Sequence, residues 1–87
     1  MPDKISGITV LQLFGRTYCH LCTDLMEALC IKIQGLPISV DWIDLDEHEE
    51  WEELYGEHIP VLKYGEFEIC RHRLDEAALS AFLLRFS

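Results

Sequence analysis

The sequence predicts one α/β domain in which a four-stranded mixed sheet is assembled in the order β-α-β-α-β-β-α. Three observations lead there. The N-terminal half runs strand, helix, strand with a short return, the pattern of a right-handed parallel βαβ unit. Two short apolar runs between residues 60 and 70 are separated only by Gly65-Glu66, the length of a tight antiparallel hairpin. A chain of 87 residues has material for a single hydrophobic core, so the domain is expected to span residues 1–87.

The elements follow in order. Ile8 to Phe14 is apolar apart from Thr9 and Gln12 and reads as a strand buried on both faces, ended by Gly15. From His20 to Gln34, Cys22, Met26, Leu29 and Ile33 recur at helical spacing with Thr23, Glu27 and Gln34 elsewhere on the wheel. Gly35, Leu36 and Pro37 stop this helix, with Leu36 expected to fold back on Ile31. Ser39 to Leu45 is the second strand. A short acidic helix is expected next, capped by Asp46 with Glu49 in the capping-box position, packed through Trp51, Leu54 and Tyr55 and stopped by Gly56. Pro60 to Tyr64 and Phe67 to Cys70 form the hairpin. Asp75 then caps a last helix that buries Ala78, Leu79, Phe82, Leu83 and Phe86, with Leu74 stapled onto Leu79.

Composition narrows the function classes. Apolar residues at 49% and charged residues at 26% describe an ordinary globular chain. A net charge of −9 is the wrong sign for a phosphate backbone, which argues against nucleic acid as a partner. The longest apolar runs fall far short of the ~20 residues that cross a bilayer, and no membrane partner is expected. The first residues, interrupted by Asp3, Lys4, Ser6 and Gly7, lack the pattern of a signal peptide, so a cytoplasmic location is expected. In that compartment the four cysteines read as catalytic or metal-binding rather than as a disulfide scaffold.

Cys19-His20-Leu21-Cys22 falls between the end of the first strand and the start of the first helix. A sulfur there faces unpaired backbone N–H groups and the positive end of the helix dipole, which favour a thiolate. Cys22, three residues on and nearly one turn along, can reach the same sulfur and resolve a mixed disulfide. His20 either adds to thiolate stabilisation when protonated or points to solvent.

Here the chain resembles the glutaredoxin-like branch of the thioredoxin superfamily, over Ile8 to Phe86. The Cys-x-x-Cys after a strand, Ile59-Pro60 before the third strand, Leu74-Asp75 opening the last helix and Arg16 three residues before Cys19 carry the resemblance. It implies the thioredoxin-like fold, a cis Ile59-Pro60 bond facing the redox pair, and substrate backbone docking at Ile59. It also implies thiol–disulfide exchange with Cys19 as nucleophile and Cys22 as resolving thiol. No bound cofactor or metal is implied. Glutathione or another thiol donor is the implied co-substrate, and a disulfide-containing protein or a glutathionylated substrate the implied partner of a monomer. Where glutaredoxins usually carry Pro-Tyr and a later Gly-Gly, this chain has His20-Leu21 and Cys70-Arg71.

Two other readings of the pair stay open: a zinc or shared iron–sulfur module, and a redox-sensing or interaction domain without turnover. Arg16, Arg71 and Arg73 are expected at one end of the sheet, as a cationic patch for glutathione carboxylates, as a stabiliser of the Cys19 thiolate, or as solvated side chains without a role. Together with Leu74 and Asp75 they complete the candidate substrate site. Cys30 is expected to be a small buried hydrophobe, and the acidic helix a solvated face or a dock for a basic partner.

Overall fold

Leu11 and Leu13 of the first strand are fully buried on one side of a sheet whose strand order is β2-β1-β3-β4. The computed structural model describes residues 8–84. Its elements are β1 (Thr9–Gly15), α1 (His20–Lys32), β2 (Ile38–Asp44), two 3₁₀ turns (Leu45–Glu47 and Glu49–Trp51), α2 (Glu52–Tyr55), β3 (Val61–Tyr64), β4 (Phe67–Arg71) and α3 (Glu76–Leu83). β1 pairs parallel with β2, from Thr9 beside Ile38 to Gly15 beside Asp44, and antiparallel with β3, Phe14 facing Val61. The mixed sheet and the element order are those the sequence predicts. Phe86 and the segment before Ile8 lie outside the described residues.

The hairpin turns on Gly65, whose φ of +59° at the first central position meets the need of a type II′ turn. One extra residue in β4 breaks the register after Leu62, so Ile69 and Cys70 are both buried. Leu25, Leu29 and Ile33 of α1 and Leu79 and Phe82 of α3 join Leu11, Leu13 and Leu62 in the main core. Both long helices therefore cover one face of the sheet. Leu25 belongs to that stripe as well, one residue before Met26 of the predicted face. Asp75 caps α3 as expected, its Oδ1 accepting the Ala78 amide at 3.0 Å, and Leu74 packs against the same core as Leu79.

Four expectations change. β1 is central but not covered along its whole second face: Val10 is 38% exposed and Gln12 half-buried, and only Phe14 is buried there, with Leu45, Tyr55 and Val61. The segment after β2 is too short to cover more than that end. The acidic stretch is not one capped helix. Asp44, rather than Asp46, takes the cap, accepting the Asp46 amide at 2.9 Å, and His48 breaks the segment with φ −140° and ψ 76°. Like charges at helical spacing, Asp46 with Glu49 and Glu50, Glu49 with Glu53, oppose a continuous helix. Leu54 is 59% exposed and leaves packing to Trp51 and Tyr55. At the end of α1, Ile31 is 70% exposed; the Leu36 amide bonds to the Ile33 carbonyl at 3.0 Å and the Leu36 side chain packs on the main core instead.

Candidate active site

Cys19 is the N-cap of α1, with extended backbone (φ −90°, ψ 112°) and its sulfur in the place where a cap oxygen commonly sits. The Cys22 amide donates to Cys19 Sγ at 3.3 Å, while the Cys19 carbonyl receives the Thr23 amide at 3.1 Å. The first turn of α1 carries no acidic side chain to compete for those amides. Strand β1 delivers the chain to this point, and the Arg16 carbonyl accepts the Cys19 amide at 3.1 Å, closing the loop between them. Cys19 is half-buried and adjoins a surface hollow of about 280 Å³; His20, exposed beside it, lines the same hollow.

Cys22 has no exposed surface. Its sulfur lies close against Gly15, which the tip of the Trp42 ring also approaches. Burial, and after it the hydrogen bond shared with Cys19, push the Cys22 thiol up to about 12, against a weaker opposing pull from the Arg16 backbone amide and guanidinium. Both sulfurs are free thiols in this structure. The pair is thus asymmetric: one sulfur at the surface on a helix N-terminus, the other sealed behind it.

The Ile59-Pro60 bond is cis, as the resemblance implies. Pro60 is fully buried and Ile59 half-buried against Phe14 and its neighbours. Since Val61 faces Phe14, one further step of the same register sets Pro60 level with Gly15, the residue that Cys22 Sγ touches. The Pro60 carbonyl accepts the His72 amide at 2.7 Å. His72 holds a left-handed backbone (φ +73°) that favours glycine, and its ring stacks on His58 at 5.8 Å between centroids. This histidine pair was missed in the sequence, where no spacing links residues on separate loops. Trp42 was missed too, although Ile38, Val40 and Trp42 alternate along β2 as one face of a strand does.

Two of the three candidate-site arginines are already engaged. Arg16 donates through Nε to Asp46 Oδ1 at 3.1 Å and through Nη2 to Glu52, tying the loop before α1 to the acidic segment. Arg71 forms a two-pronged pair with Glu68, 2.6 Å at each prong, which holds the Glu68 carboxyl below its ordinary value. Arg73 is exposed. Arg71, Arg73, Leu74 and Asp75 do line one hollow, of about 550 Å³, but Asp75 spends its carboxylate on the α3 cap and Arg16 does not line that hollow. Cys30, expected inside, is exposed on α1 with its sulfur 3.8 Å from Met26 Sδ. Cys70 is the buried cysteine of β4, and burial pushes its thiol up. Among the described residues no three His, Cys, Asp or Glu side chains converge as metal ligands, and no helix is long and apolar enough to cross a membrane.

A cysteine pair on the first turn of the helix after β1, with a cis-proline at the neighbouring strand, defines a thioredoxin-fold domain. Residues 10–84 match the Glutaredoxin-like domain (DUF836), and the chain belongs to that family. Protein Ne2328 from Nitrosomonas europaea is similar over 94% of this chain and 98% of its own, at 26% identity and a TM-score of 0.74. A point-mutant thioredoxin from Halobacterium salinarum (24% identity, TM-score 0.60, 90% and 74% coverage) shares the fold. So does the germline-specific thioredoxin Deadhead from Drosophila melanogaster (21%, 0.57, 94% and 84%). No curated protein sequence matches the chain.

Proposed function

We propose that this domain is a cytoplasmic thiol–disulfide oxidoreductase that reduces disulfides of protein substrates by a dithiol mechanism. The observation that carries the reading is the asymmetry of the pair, Cys19 at the surface with an amide aimed at its sulfur and Cys22 buried and held protonated.

In the first step the Cys19 thiolate attacks one sulfur of the substrate disulfide. A Cys19–substrate bond forms, the substrate S–S bond breaks, and the departing thiolate takes a proton from solvent. Cys22 then gives up its proton and attacks Cys19 Sγ; the Cys19–Cys22 bond forms, the mixed disulfide breaks, and the second substrate thiolate is protonated. One disulfide is reduced and one dithiol oxidised, a transfer of two electrons and two protons. A thiol donor, glutathione or a dithiol reductant, restores the pair. Cys22 faces its target from within the same chain, which raises its effective concentration far above that of an external thiol.

Titrating the Cys19–Cys22 couple against glutathione and thioredoxin redox buffers tests the reading. A midpoint between roughly −270 mV and −200 mV fits a reductant of this kind. Failure of the two cysteines to form a disulfide in any oxidising buffer would refute it.

A further inference from the structure

Two surface hollows meet beside Cys19. The one that takes in Cys19 and the other, of about 330 Å³, share Thr17, Thr23 and Glu27, so they form one groove running along α1 toward the edge strand β2. Its chemistry changes along its length. At the Cys19 end the rim carries Asp24, with Glu27 where the two hollows join, both exposed carboxylates, and His20 as the one basic group among the lining residues. At the far end the walls are Met26 and Trp42, both half-buried. The Trp42 ring is fixed by its packing close to Gly15, whereas Met26 is unbranched and adapts to what it meets. The arginine nearest in sequence to Cys19, Arg16, has its guanidinium committed to Asp46 and Glu52.

We propose that this groove selects the substrate: it accepts a polypeptide disulfide whose reacting half-cystine lies next to a bulky apolar side chain and is flanked by lysine or arginine. The proposal rests on the exchange reading above. The apolar side chain fills the space between Met26 and Trp42, the basic flanks meet Asp24 and Glu27, and the half-cystine is left at Cys19. Exchange then proceeds as written, the Cys19–substrate bond replacing the substrate S–S bond and Cys22 releasing the reduced peptide. Glutathione, an anionic tripeptide without an apolar side chain, gains from neither end of the groove. Charge complementarity in a cleft of one sign raises encounter rates by about tenfold or more.

The test measures second-order oxidation of the reduced protein by three symmetric peptide disulfides, in which the cysteine is flanked by leucine and lysines, by leucine and glutamates, or by glycine and lysines. The leucine–lysine peptide is expected to react about tenfold faster than the leucine–glutamate peptide at low salt, and severalfold faster than the glycine–lysine peptide. In Glu27→Lys the charge preference shrinks toward unity, and in Met26→Ser the leucine preference does. Each variant is read as a ratio between peptides, so a general loss of activity does not mimic either result. Equal rates for all three peptides, or ratios that survive both substitutions, would overturn the proposal. Hydroxyethyl disulfide, small and neutral, separates the two readings. If the wild-type protein reduces it but shows no peptide preference, only the groove assignment falls. If the protein does not reduce it, the exchange reading falls first and the groove assignment with it.

Discussion

Cys22 Sγ lies so close to Gly15 that a Cβ at position 15 would sit 2.7 Å from the sulfur, and 2.8 Å from Cη2 of Trp42. The Cys22 sulfur and the tip of the Trp42 ring therefore both close on the last residue of β1, leaving no room there for a side chain. The close approach of Gly15 is part of the burial that, with the hydrogen bond shared with Cys19, raises the Cys22 thiol.

Gly15→Ala should accordingly act on the redox pair without touching either cysteine. The added methyl cannot be absorbed by backbone freedom, so Cys22 and Trp42 must shift, at a cost of about 1–3 kcal/mol in stability. Denaturant unfolding of the reduced protein checks the cost, and disulfide reduction is expected to slow at the Cys22 step. A variant with native stability and unchanged turnover would mean that the packing is looser than the distances imply.

Thiol labelling should separate the cysteines by exposure. In the native reduced protein Cys19 and Cys30 are accessible, and Cys22 and Cys70 are buried. Iodoacetamide is expected to place a single equivalent on a Cys30→Ser variant at neutral pH, on Cys19, with the other two protected until the protein unfolds. Peptide mapping by mass spectrometry reads this directly, and early labelling of Cys22 would contradict the assignment of roles.

The raised Cys22 pKa has a stability consequence. Between an ordinary thiol value of about 9 and the native value of about 12, the unfolded chain has lost the Cys22 proton and the native chain still holds it. The unfolded state then binds fewer protons, so stability falls as pH rises across that window, by at most about 1.4 kcal/mol per pH unit from this group. Cys70, pushed in the same direction by burial, adds to the decline in every variant that retains it. Unfolding free energies of wild type and Cys22→Ser, compared at about pH 8 and about pH 10, should therefore converge or cross in favour of the serine variant as pH rises.

Cys22→Ser also distinguishes two chemistries. With a protein disulfide as substrate it should stall as a mixed disulfide on Cys19, visible as a trapped adduct on a non-reducing gel, because the internal attacker is gone. With a glutathionylated substrate and free glutathione it should still turn over. The ion pairs that occupy Arg16 and Arg71 favour the first outcome. Full activity in a glutathione-coupled assay with no trapped adduct would reverse that preference.

Much of the architecture was legible because its signals are local. Asp75 caps α3 through a bond to Ala78, three residues away, and Gly65 meets the demand of a two-residue turn. The acidic stretch after β2 misled for the opposite reason: a capping-box pattern at Asp46 and Glu49 was present, but repulsion among its carboxylates and the pull of Arg16 from a distant loop favoured two short turns. The arginine partners lie 30 and 36 residues from Arg16, beyond any pattern a linear reading can weigh.

The sequence by itself determined that a Cys-x-x-Cys pair stands where a strand gives way to a helix. Spacing, helix start and thiol chemistry are properties of a few adjacent residues. Only the tertiary structure decided which sulfur is sealed: Cys22 is fully buried, with Gly15 of β1 close against its sulfur, while Cys19 keeps exposed surface. It also decided that the Arg16 and Arg71 charges are spent on carboxylates and that Cys30 faces outward. Cys30 follows the buried Leu29 by one residue, about 100° around the helix, and a small thiol carries no preference strong enough to fix which side of that rotation meets the core. Burial is set by what packs against an element, and that information lies in the other strands and helices.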